Sequence, residues 1–158
     1  MNSIFPFFKW VDSTWLNKFI NDSKWLFPAI EGVHIVALAL LFGTVILLNL
    51  RMLEVLMKGR SMPRLLREFE PWTLWSLAVI LLTGLLLFIA EAVKSFYSTP
   101  FRIKIAVLVV AILFHFGVSL RLMRKEDLVR PAWSKLAAVL AIAMWITVGF
   151  AGRAIGFF

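Results

Sequence analysis

Four charge-free apolar runs, at 32–50, 71–90, 105–120 and 136–152, constrain this chain more than any other feature. A helix that crosses a bilayer needs roughly 20 mainly apolar residues. The last two runs are slightly short, and the flanking Arg102, Lys104, Arg121 and Lys135 can snorkel to the interface. None shows the period-two polar alternation of a barrel strand, and all are too long for one. With 61% of 158 residues hydrophobic and 16% charged, nothing remains from which to build a separate soluble domain. The sequence therefore predicts an all-α integral membrane protein, a four-helix transmembrane bundle over 28–158. Its spans fall at about 29–50, 71–93, 101–121 and 134–153.

Residues 1–27 read as an interfacial arm carrying a short amphipathic helix, not as a cleaved signal peptide. In "DSTWLNKFIND" the apolar Trp15, Leu16, Phe19 and Ile20 share one side, Asn17, Lys18 and Asn21 the other, and Asp12 suits the N-cap. Pro28 fits the first turn of the first span, and Pro71 is expected to open the second. Thr99 is the expected cap and Pro100 the first residue of the third span, with Pro131 before the fourth. Ser61 is a candidate cap for the amphipathic turn Leu65, Leu66, Phe69. Ala143, Thr147 and Ala151 form a small-residue seam for helix packing.

The net charge of +8 is spread among loops and suits anionic head groups; it does not form the single stripe that nucleic acid requires. Arg51, Lys58, Arg60, Arg64, Arg67, Arg121, Arg124, Lys125, Arg130 and Lys135 give ten basic residues on one side. Lys9, Lys18, Lys24, Lys94, Arg102, Lys104 and Arg153 give seven on the other. By the positive-inside rule both termini lie outside, in the periplasm of a bacterial inner membrane.

Only two histidines occur. His34 follows Glu31 by three residues, so the two share a helix face near the outer end of the first span. Glu91, Lys104 and Arg153 fall at the same level on the other spans. Ionisable groups at such depth are costly unless they pair or line a cavity. Two readings stay open: an outer ring of salt bridges, or a polar pocket for a haem, a metal ion, a quinone or a small solute. In either case Glu31, Glu91, Lys104 and Arg153 should converge around His34.

His115 is the weaker candidate, although it shares a face with Lys104, and a hydrogen bond to a neighbouring helix is its expected fate. It lies roughly 20 Å deep against roughly 8 Å for His34, an offset that argues against one haem ligated by both. Glu-x-x-His occurs once, whereas bundle di-iron sites repeat it. Met52, Met57, Met62 and Met123 gather near the inner face and suit packing better than a copper path. No Cys is present, and no nucleophile–base pair or phosphate loop points to hydrolysis.

His34 followed by Gly43, then "LNLRML", "PW", "TGLLLF", "FRIK" and "GRAI", together resemble an uncharacterised bacterial four-span membrane family, a domain of unknown function. The resemblance runs from Trp15 onward and rests on the order of these short motifs. It implies a four-helix membrane protein with emphasis on His34, Arg51, Lys104 and Arg153; Asn49 stands where the family usually has Asp. More distantly the layout is similar to copper-resistance D and cytochrome b-type bundles, which implies redox or metal handling. The expected function is a small ligand-binding or electron-transfer accessory subunit rather than an enzyme, its cofactor a haem b or a metal ion. Its expected partners are the lipid bilayer and a second copy or another membrane or periplasmic subunit. A purely structural anchor is the alternative, and a solute transporter a weaker third because no inverted repeat or broken helix is visible.

Overall fold

The computed structural model describes residues 4–125 and 131–154, without the side chains of 131, 151, 153 and 154. Two short helices, α1 (Phe5–Asp12) and α2 (Trp15–Asp22), precede the long α3 (Leu26–Met52) and α4 (Met62–Ala90). After α5 (Ala92–Tyr97) the third span runs through α6 (Thr99–Phe114), a π-helical turn (His115–Ser119) and α7 (Leu120–Arg124). The last helix is α8 (Pro131–Ala154). Four helical stretches, Leu26–Met52, Met62–Ala90, Thr99–Arg124 and Ala132–Phe150, are long and apolar enough to cross a membrane. The protein is an all-α, multi-pass bundle with short helices at its N-terminus.

Because these spans are apolar around most of their circumference, hydropathy does not mark which side faces inward. Size and hydroxyl groups do. Ala37, Ala111, Ala137, Ala138 and Ala141 are buried, as are Thr44, Thr73, Ser76, Thr83 and Ser119, whereas Val36, Leu40, Leu82, Leu113 and Val139 are exposed to what would be lipid. Small side chains let backbones approach where lipid supplies no hydrophobic drive to association. Two cores result. The middle one joins Leu41, Val45, Leu77, Ile80, Trp145 and Val148. The other, beside the α3–α4 turn, joins Leu48, Leu65, Leu66 and Leu120 with Met52, Met62 and Met123, so three of the four methionines expected to gather at that end are packing residues.

Several local expectations change. Helix α4 begins nine residues before Pro71, which sits inside the helix. The reason is burial: Met62, Leu65 and Leu66 pack into the core beside the α3–α4 turn and carry the helix back to Ser61. Ser61 holds the N-cap position, but its hydroxyl makes no capping bond. Thr14, not Asp12, caps α2 by accepting from Asn17 N–H at 3.3 Å, and Ser98, not Thr99, caps α6. The seam on α8 also points elsewhere: Ala143 and Thr147 are exposed, Ala151 lies outside the described side chains, and Ala137, Ala138 and Ala141 make the buried stripe.

The arm is held by a mixed face, on which Ile20 is buried beside Asn17 instead of lying on the opposite side. Asn17 is buried and its Nδ2 donates to Ile89 O at 2.7 Å and Ala90 O at 3.2 Å, while Asn21 Nδ2 donates to Ala90 O at 3.0 Å. These carbonyls end α4 and have no intrahelical donor, so the two amides satisfy them. Trp15 and Phe19 stack on the exposed side, where an aromatic pair suits a membrane interface. Phe5 and Phe8 pack on Phe88 and Phe96, fixing α1 over the same end.

At the other end α3 closes in a Schellman arrangement, with Val55 N–H on Leu50 O at 3.0 Å and Glu54 N–H on Arg51 O at 2.9 Å. Glu54 therefore adopts φ 59°, a region that favours glycine. Its carboxylate accepts from Lys135 Nζ at 2.8 Å, and that bond holds the carboxyl below the usual carboxylate range. A depressed carboxyl contributes stability above its unfolded pKa and loses it as pH falls through the folded value. Glu54→Gly relieves the backbone and forfeits only an exposed pair. It is expected to raise the thermal midpoint by about 2–4 °C. The margin over wild type should widen below about pH 4, where the wild-type pair is also lost; a lower midpoint at pH 4 would refute this account of the turn.

Candidate functional site around His34

Helices α3 and α4 run antiparallel, and two polar rungs cross their buried seam. Thr73 Oγ1 donates to Thr44 Oγ1 at 3.0 Å, and His34 Nδ1 lies 2.8 Å from Thr83 Oγ1. His34 and Thr44 are ten residues apart, as are Thr73 and Thr83, the register that an antiparallel pair demands. Between the rungs Ala37, Leu41, Leu77 and Ile80 fill the seam.

The hydrogen bonds decide the chemistry of His34. Thr83 Oγ1 lies 2.6 Å from Val79 O, the short back-bond that threonine makes inside helices. A hydroxyl has one proton, and here it goes to that carbonyl. Thr83 must then accept from His34, so the imidazole is protonated at Nδ1 and its Nε2 carries a free lone pair. Nε2 has no hydrogen-bond partner among the described residues. The ring is held from the side by Gly84, where a Cβ would stand 3.4 Å from His34 Cε1. His34 is thus a buried imidazole with one fixed tautomer, one fixed plane and one open donor atom.

The other sequence-predicted residues arrange differently from the expected ring. Lys104 comes from α6 toward α8, with Nζ 3.4 Å from where a Cβ on Gly152 would be, and lies within electrostatic reach of His34. It is half-buried and has no carboxylate partner among the described residues. Glu31 is exposed and makes no hydrogen bond or ion pair there. Glu91 pairs with Lys94 on the next turn at 3.1 Å. Arg153 lies outside the described side chains. Lys104 therefore lies on the same side of the bundle as His34 without bonding to it, and neither Glu31 nor Glu91 bonds to either of them. The reason is position: Glu31 precedes His34 where α3 faces outward, and Glu91 sits at the break between α4 and α5. Interhelical ion pairs gather at the opposite end instead, Arg124 with Glu70 at 2.7 Å and Lys135 with Glu54 at 2.8 Å. Arg51 is buried there too, its Nε donating to Arg60 O at 2.9 Å across the α3–α4 turn.

His115 is also buried, but its Nδ1 has no hydrogen-bond partner, contrary to the interhelical bond expected of it. A run of apolar neighbours explains this: its ring meets Phe116 and Trp145 edge-on, at centroid distances of 5.3 and 6.4 Å. Among the described residues no three His, Asp or Glu side chains cluster to hold a metal ion by themselves. A surface groove of about 590 Å³ lies along α4 between Arg67 and Ala78, toward the end of the bundle away from His34.

Sequence reasoning missed Thr83 and Gly84, although both stand in the quoted "TGLLLF". A signal was there: Thr73, Ser76 and Thr83 recur at helical spacing along one face of an apolar helix, where hydroxyls mark an interface. Comparison with curated proteins and with solved structures gives no match. The family comparison does, over nearly the whole chain. Over residues 7–158 the chain belongs to a family of unknown function, DUF6644.

Proposed function

We propose that this protein is a small inner-membrane accessory subunit for electron transfer, binding an iron porphyrin through Nε2 of His34. The observation that carries the reading is the Nδ1–Thr83 bond. Metal-ligating histidines almost always donate the other ring N–H to a fixed acceptor, which sets tautomer and orientation. Here that second partner is in place and is itself locked to Val79 O. A free lone pair suits an electron-pair acceptor rather than a quinone carbonyl, which would need an N–H donor. A porphyrin brings four of the iron's ligands with it, so a single protein donor suffices to hold it. Bound haem would supply one-electron redox chemistry. The chain's own part is to present Nε2, exclude water through the α3–α4 packing, and hold Lys104 nearby as a counter-charge for acidic substituents.

The test is titration of the purified protein in mild detergent with haemin, followed by absorption in the oxidised and reduced states. Saturation at one haem per chain with a histidine-ligated spectrum is expected. No spectral change on titration would leave the structural-anchor reading in its place.

The proposed orientation puts both termini in the periplasm, so His34 lies toward the outer face. Reporter fusions at Lys58 should report cytoplasm and fusions at Lys24 periplasm; the reverse pattern would move the site to the inner face.

A further inference from the structure

The third span contains the one departure from α-helical winding among the described residues, the π-helical turn His115–Ser119. Such turns insert a residue into an otherwise regular helix and concentrate at functional sites. Two buried polar atoms of this turn, His115 Nδ1 and Ser119 Oγ, have no hydrogen-bond partner, and neither has Trp145 Nε1 on α8, whose ring meets His115. Their residues are 2%, 0% and 2% exposed, so neither bulk water nor lipid head groups reach them. His115 links the other two. The His115 and Trp145 rings are in edge contact, and His115 and Ser119 are four residues apart in one wide turn. A fourth such atom, Asn49 Oδ1, belongs to α3.

An unsatisfied polar atom in an apolar interior costs free energy, and one bilayer-spanning domain seldom keeps three together. The atoms are chemically complementary. The indole can only donate, a neutral imidazole nitrogen donates or accepts, and the hydroxyl does both. What they lack is something small enough to stand among them with two donors and two acceptors of its own. We infer that the π-helical turn holds an internal water site in the middle of the membrane, in which water bridges His115, Ser119 and Trp145. Buried waters typically make about three hydrogen bonds to such otherwise orphaned groups. The inference is independent of the His34–Thr83 pair, which lies on α3 and α4 and uses other atoms. Its functional consequence is that His115 has a proton-exchanging partner where the surrounding side chains offer none.

The experiment uses full-length protein in detergent micelles, with ¹⁵N-labelled tryptophan. The Trp145 indole resonance is assigned by its disappearance in Trp145→Phe. A cross-peak between the Trp145 Nε1–H and water is expected, and it should persist in Ser119→Ala, which excludes relay through the serine hydroxyl. Ser119→Ala should also lower the thermal midpoint, because a water then loses one of its partners. In a dry pocket the same change deletes an orphaned hydroxyl and leaves stability equal or higher. Absence of the water cross-peak, or a Ser119→Ala protein as stable as wild type, overturns the inference.

Discussion

Replacing His34 by Ala is expected to abolish the haemin-induced spectrum while leaving the protein folded. The two effects separate because the side chain's structural contribution is small. A hydrogen bond between membrane helices is worth on average about 0.6 kcal/mol and at most about 1.7, so losing the bond to Thr83 should shift thermal unfolding only slightly. Loss of the sole proposed iron donor has no such ceiling. Thr83→Val gives the sharper test, since it keeps the shape of the residue and removes only the acceptor for Nδ1–H. Changes to second partners of this kind typically weaken binding 10- to 100-fold, and Thr83→Ser should restore it. His115→Asn should leave the spectrum intact. If that variant lost the spectrum while His34→Ala kept it, the porphyrin would belong at the π-helical turn.

The second large effect concerns stability. Gly149→Ala on α8 should destabilise the bundle, because a Cβ there would stand 2.8 Å from Phe42 Cζ and 3.2 Å from its Cε1. The ring cannot swing away freely: it rests edge-on against buried Trp145 at a centroid distance of 6.3 Å. Forced repacking of this kind costs about 1–3 kcal/mol, against a gain of up to about 1 kcal/mol from replacing Gly by Ala in a helix. Gly43→Ala supplies the control, since nothing lies within 4 Å of its added Cβ. That variant should be neutral or slightly stabilised. Unfolding in a denaturing-detergent titration measures both. In a double-mutant cycle with Phe42→Ala, the Gly149 penalty should largely vanish, with a coupling of about 0.5–3 kcal/mol. Equal stability of the two glycine variants would mean that α3 and α8 do not pack as described.

The four spans were legible because the hydrocarbon core demands about 20 apolar residues, and that demand is met or missed by sequence alone. Helix ends were less so. Pro71 reads as a start by its preference for a first turn, yet Met62, Leu65 and Leu66 gain enough by burial to extend α4 past it. Asn17 and Asn21 read as the wet side of an amphipathic helix, and only the placement of α2 over the end of α4 turns them toward Ile89 O and Ala90 O. In each case a contact distant in sequence outweighed the local preference.

For the candidate site, the sequence determined which ionisable residues fall within or beside the apolar spans, among them two histidines and a lysine at the level of the first of them. Scarcity of polar groups in apolar spans is a local property, and it singled out His34 without help. Which of those groups meet was decided by the tertiary structure alone. The spacing of Glu31 and His34 promised a shared face, but α3 meets α4 at His34 and not at Glu31, so the partner is Thr83 and not a carboxylate. Thr83 in turn fixes the tautomer, because its own proton is committed to Val79 O. The orphaned atoms at His115, Ser119 and Trp145 likewise follow from the packing of two helices. Sequence periodicity specifies the faces of single helices; the register between helices, which sets every distance in the site, exists only once they have packed.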